Sequence, residues 1–124
     1  MATIELTEAN FEKTITDNDI VLVDFWAPWC APCRSFAPIY ESVSEKYPDA
    51  VFAKVNTEEQ QSLGAHFQIR SIPTLMIFRE QVIIFSQAGS LPASALEDVI
   101  GKAKELDMEM VRKEIASHGQ SSAE

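Results

Sequence analysis

Histidine, cysteine and glycine are scarce in this 124-residue chain, at two, two and four residues, and basic residues are outnumbered 10 to 19 by acidic ones. The formal charge of −9 repels phosphate backbones and anionic lipid heads, and no Lys/Arg cluster stands against it. Neither nucleic acid nor a membrane surface is therefore expected as a partner. No apolar run approaches the roughly 20 residues of a membrane span, and Met1-Ala2-Thr3-Ile4-Glu5 has no basic leader region, so a cytoplasmic address is expected. His66 and His118 lie in segments without H-x-x-x-H spacing and are too poor a supplement to two thiols for a four-ligand zinc site; no metal is expected. They read as ordinary titrating side chains, His66 on a helix surface and His118 near the end of the chain. Glycine-rich phosphate loops, a second C-x-x-C and a Ser/His/Asp arrangement are all missing, which leaves cofactor binding and hydrolysis without residues to carry them. A hydrophobic content of 46% still suffices for one globular core.

Against these absences, both cysteines fall in one short run, Trp29-Cys30-Ala31-Pro32-Cys33, directly behind the apolar stretch Ile20 to Trp26. In a reducing compartment two adjacent cysteines read as catalytic or metal-binding rather than as a structural staple. At a strand-to-helix junction such a pair can close into a small disulfide ring and reopen by thiol exchange. Cys30 would occupy the first turn of the helix, where free backbone amides and the positive dipole end stabilise a thiolate. A free thiol is only about 3% ionised at neutral pH, so that bias selects Cys30 as nucleophile. Cys33, one turn inward, would resolve the mixed disulfide, and Pro32 supplies a fixed φ and no N–H where the helix begins. Asp24 is the one ionisable residue in the apolar strand; burial would raise its pKa and make it the base that deprotonates Cys33. The plainer alternative is a solvated Asp24 at the sheet edge.

The remaining pattern alternates between the two periods. Thr7 is expected to cap a short helix Glu8 to Thr14 with Phe11 and Ile15 inward, and Ile20 to Trp26 reads as a strand covered on both faces. Cys30 to Tyr47 keeps helical spacing at Phe36, Ile39, Tyr40 and Val43, with Pro38 kinking it. Val51 to Val55 is a strand; Thr57-x-x-Gln60 suits a capping box opening a helix to Phe67. Thr74 to Phe78 and Val82 to Ala88, joined by a very short link, read as an antiparallel hairpin, and Leu91 to Lys104 as a helix burying Leu96, Val99, Ile100 and Ala103. The fold class is α/β, a central mixed sheet flanked by helices.

Val23-Asp24-Phe25-Trp26-Ala27-Pro28-Trp29-Cys30-Ala31-Pro32-Cys33 with Pro38, Lys54 and Ile72-Pro73-Thr74 resembles the thioredoxin family over roughly residues 4 to 105. The resemblance implies the thioredoxin fold and a protein-disulfide reductase recharged by an NADPH-dependent thioredoxin reductase. No cofactor beyond the redox-active disulfide is implied, and the protein is expected to be a monomer. It implies a cis peptide before Pro73, which would leave the Ile72 backbone free to pair with an extended substrate segment. Trp29, Pro32, Ile72, Pro73, Ala88 and Gly89 would form the apolar docking surface, with Trp26 structural beside it. Lys54 would tune Asp24 through its charge, or else snorkel to the surface. A thioredoxin-fold binding or chaperone-like module, with redox turnover incidental, is the alternative; an oxidant or isomerase is disfavoured because Ala-Pro stands where those members commonly carry a histidine.

Three places depart from the family pattern: Ala31 and, at a helix end, Gln68 stand where glycine is common, and Glu80-Gln81 forms a hairpin turn that usually has a glycine. A less common turn or strained backbone is expected at the hairpin. Residues 1–105 read as the domain and 106–118 as a helical extension, Asp107 capping a separate helix Met108 to Ser117. A disordered polar tail is expected over 119–124.

Overall fold

Seven consecutive residues, Ile20–Trp26, form β2, and six of them are buried because both faces are covered. In this computed structural model residues 2–122 are described, with side chains as far as residue 117. Around β2 lie β1 (Thr3–Glu5), β3 (Val51–Asn56), β4 (Thr74–Arg79) and β5 (Val82–Ala88), in the order β1-β3-β2-β4-β5. β1 and β2 run parallel to β3; β4 runs antiparallel to both β2 and β5. The helices are α1 (Phe11–Asp17), α2 (Ala31–Ser44), α3 (Gln61–His66), α4 (Ala93–Glu105) and α5 (Met108–Ser122).

Strand side chains alternate between two cores. Ile20, Leu22, Phe52, Leu75 and Ile77 meet Phe36, Tyr40 and Val43 of α2 and Leu96, Ile100 and Ala103 of α4. Val21, Val23, Phe25, Ala53, Val55, Met76 and Phe78 meet Phe11 and Ile15 of α1, with Leu63 and Phe67 packed alongside. A fully buried side chain such as Leu22 stabilises this arrangement by about 2 kcal/mol. Tyr40 is buried but satisfied, its hydroxyl donating to the Ala53 carbonyl at 2.8 Å.

Several local expectations shift. β1 was not signalled by pattern, since its one large apolar residue, Ile4, is 44% exposed. α1 begins later than expected because Thr7 closes a preceding turn, accepting the Ala9 N–H at Oγ1 (3.2 Å) while its carbonyl accepts the Phe11 N–H (3.0 Å). α2 stops at Ser44, and turn bonds from Lys46 N to Val43 O and Tyr47 N to Ser44 O carry the chain to Pro48. Pro38 lies inside α2 on its exposed side. The capping box is absent: the Thr57 amide and hydroxyl both donate to the Trp26 carbonyl, tying β3 to β2, and no side chain caps α3. Asp107 does cap α5, accepting from the Glu109 and Met110 amides at 3.1 and 3.2 Å. That helix continues to Ser122, past its expected end at Ser117 and into the stretch expected as a disordered tail; residues 123–124 lie outside the described residues.

The hairpin turn is strained in the expected place, with Glu80 at φ 50° and Gln81 at φ 71°. Glu80 is occupied by an ion pair with Arg112, which ties the turn to α5. Gln81→Gly is therefore expected to stabilise the protein by about 0.5–1 kcal/mol, read as a higher urea midpoint with unchanged slope.

Candidate active site

Cys30 and Cys33 are joined in a disulfide, their Cα atoms 5.2 Å apart. The reason lies in the local chain: β2 ends at Trp26, a tight turn closes from the Cys30 amide to the Ala27 carbonyl at 3.2 Å, and α2 begins at Ala31. Cys30 is the N-cap of α2, with extended backbone (φ −88°, ψ 112°), and its Sγ accepts the Cys33 N–H at 3.2 Å. Pro32 sits in the first turn, where its missing N–H costs no helical bond. Ala31 takes ordinary helical backbone here, so the methyl replaces a common glycine without a left-handed φ. Arg34 braces the preceding loop by donating to the Pro28 carbonyl at 3.0 Å.

Both sulfur-bearing residues are buried, Cys30 at 4% and Cys33 at 3% exposure, in a small cluster with Ala27, Trp26 and Ile72. The Ile72 carbonyl lies 3.7 Å from Cys30 Sγ, and the Ile72–Pro73 peptide is cis. Pro73 is buried; its carbonyl accepts the Gly89 N–H at 2.8 Å, with Gly89 at φ 101° in the left-handed region. That bond brings the end of β5, with exposed Ala88, beside the Ile72–Pro73 loop. Trp29 is 65% exposed, and with Ile72 it walls a cleft of about 400 Å³ whose far side is α3 and Arg70. The six residues expected as a docking surface thus divide: Trp29, Pro32, Ala88 and Gly89 are exposed, Ile72 is intermediate and Pro73 is beneath them.

Asp24 is 1% exposed and its Oδ1 has no hydrogen-bond partner. Burial pushes its pKa from the ordinary 3.8 up to about 7; Lys54 opposes that shift and Glu5 adds to it. The solvated alternative does not hold. Asp24 shares the sheet face of Leu22, beneath α2, and its charge reaches Tyr40, whose hydroxyl is pushed well up by burial first and by Asp24 second. Lys54 is the register partner of Asp24 on β3, so the two strands are neighbours as expected, but its Nζ lies 4.5 Å above the Trp26 ring instead of on a carboxylate. Glu5, aligned with Lys54 from β1, was not singled out from sequence. Only recognition of the short edge strand would have revealed it. His66 packs edge-on against Phe67 and is not part of the dithiol's cluster, and His118 lies beyond the described side chains. Among the described residues no group of three or more metal-ligating side chains is gathered, and no helix is long and apolar enough to cross a membrane.

The arrangement can exchange one disulfide for another: a capping sulfur at a helix N-terminus, a second sulfur bonded to it, and a buried carboxyl on the adjoining strand. The family model described as Thioredoxin matches residues 2–102. "Putative thioredoxin 2" of Streptomyces coelicolor is 58% identical over 115 residues, covering 93% of this chain and 86% of that protein. "Thioredoxin" of Porphyra purpurea is 40% identical, covering 82% of this chain and 97% of its own length. Among solved structures, a mutant thioredoxin from Halobacterium salinarum superposes with a TM-score of 0.79 at 32% identity, covering 85% of this chain and 93% of that one.

Proposed function

The chain belongs to the thioredoxin family and is a thiol–disulfide oxidoreductase that reduces protein disulfides, and we propose that its turnover divides the work between Cys30 as nucleophile and Cys33 as resolving thiol. The observation that carries this reading is Cys30 Sγ acting as the cap of α2 and accepting the Cys33 amide proton. A sulfur so placed is stabilised as thiolate once reduced. Its attack on a substrate disulfide forms the Cys30–substrate bond and expels the first substrate thiolate. Cys33 then attacks Cys30, forming the internal disulfide and expelling the second, so two electrons pass to substrate. Asp24 takes the Cys33 proton, and Lys54 tunes Asp24. An extended substrate segment pairs with the Ile72 backbone and rests on Trp29, Pro32, Pro73, Ala88 and Gly89.

An NADPH-dependent thioredoxin reductase recharges the couple; no other cofactor is needed, and the working form is a cytoplasmic monomer. Residues 1–105 are the reductase domain, and α5 (Met108–Ser122) is an appended helix. Reduction of insulin disulfides by dithiothreitol tests the whole reading: the wild-type chain must raise the rate above the uncatalysed reaction, and no increase would remove it. Trp29 supplies the largest exposed apolar contact, so Trp29→Ala is expected to raise KM for insulin by roughly 5- to 30-fold, about 1–2 kcal/mol, with kcat little changed. An unchanged KM would move the docking surface elsewhere.

A further inference from the structure

Three charged residues form one row across the sheet. Glu5 of β1 is aligned with Lys54 of β3, and Lys54 with Asp24 of β2, so the three side chains leave the same face of neighbouring strands. One cation thus stands between two carboxylates. Among the described residues Lys54 closes an ion pair with neither; its ammonium rests over the Trp26 ring at 4.5 Å. Two buried atoms in the same place lack partners, Asp24 Oδ1 and the Trp26 indole nitrogen. Unpaired polar atoms in a buried place are costly, and both lie beside this row of charges.

We propose that Glu5 is a positioning residue for the exchange reaction: from the edge strand its carboxylate shares the Lys54 ammonium with Asp24 and so sets how readily Asp24 binds and releases a proton. This rests on the reading of Asp24 as the base. Glu5 acts in two ways of the same sign. Its negative charge opposes ionisation of Asp24 directly, and it competes for the cation that would favour that ionisation. The other charged or titratable groups facing Asp24 are Lys54 on β3 and Tyr40 on α2, while Glu59 faces Glu5 from the loop beyond β3. Glu5 itself is pushed above the ordinary glutamate range, by part burial first and by Glu59, with Lys54 and the Trp26 side chain opposing. The Trp26 side chain thus acts on Glu5 together with Lys54. Asp24 thereby keeps a proton affinity suited to neutral pH although a lysine is its register partner on β3.

The test is a carbon-13 titration of the Asp24 carboxyl in the oxidised full chain, run on wild type and on Glu5→Gln, Glu5→Asp and Lys54→Met. Glu5→Gln is expected to lower the Asp24 midpoint by about half a pH unit, Lys54→Met to raise it, and Glu5→Asp to restore most of the wild-type value. The Trp26 indole N–H resonance should follow the Glu5 titration in wild type and stop doing so in Glu5→Gln. An unchanged Asp24 midpoint in Glu5→Gln, or an equal shift in Glu5→Asp, overturns the proposal. If Asp24 were not the base, its midpoint would still move in Glu5→Gln while Asp24→Asn kept the wild-type resolution rate, so the two failures read apart.

Discussion

Cys33→Ser is expected to bind substrate covalently and then stop. Cys30 keeps its cap position at the head of α2 and can still attack a disulfide, but the sulfur that must expel the substrate is gone. Turnover with insulin should fall by roughly 10³-fold or more, since a covalent catalyst without its second step leaves only slow rescue by external thiol. Mass spectrometry should show one substrate chain attached through Cys30. Cys30→Ser, by contrast, should give neither turnover nor adduct, because Cys33 lies within α2 and lacks the N-cap position that favours a thiolate at Cys30. Equal insulin rates for wild type and Cys33→Ser would leave the fold as a binding module whose redox chemistry is incidental.

Asp24→Asn should divide activity from stability. If Asp24 is the general base proposed above, a loss of about 10²-fold is expected in the resolving step, so the substitution should slow mixed-disulfide release while leaving the first attack largely intact. Stability should move the other way. The folded pKa of about 7 lies above the ordinary 3.8, so the native state holds a proton that the unfolded chain has lost. Stability contributed by the protonated carboxyl is full below the unfolded value and is lost as pH rises through the folded one. The advantage of Asp24→Asn should therefore emerge above about pH 4, grow toward pH 7 and level off beyond it. Its ceiling is about 4 kcal/mol, lowered by the buried amide's own need for partners. Urea midpoints at pH 4, 6 and 8 would check the sign; an advantage confined to acid pH would contradict it.

Much of the site was legible because its residues are local in sequence. Cys30, Ala31, Pro32 and Cys33 span a single helical turn, and the run Ile20 to Trp26 shows burial on both faces without reference to any other segment. Asp24 stood out as the one polar interruption of that run. Where local signals misled, tertiary demand had claimed the same atoms: Thr57 has the spacing of a helix cap, but its hydroxyl closes the β2–β3 junction. Thr7 likewise caps a turn before α1 instead of the helix itself. β1 escaped notice because three residues cannot display a period.

The sequence by itself determined the α/β class, the dithiol at a strand-to-helix junction, the buried carboxylate and the strain at Glu80 and Gln81, because each depends on neighbours a few positions away. Only the tertiary structure decided what meets across the sheet. The Ile72 carbonyl beside Cys30, the Gly89 amide on Pro73, and the row Glu5, Lys54, Asp24 each unite segments distant along the chain. Strand order and register select those encounters, and both are settled by how two cores fill opposite faces of one sheet.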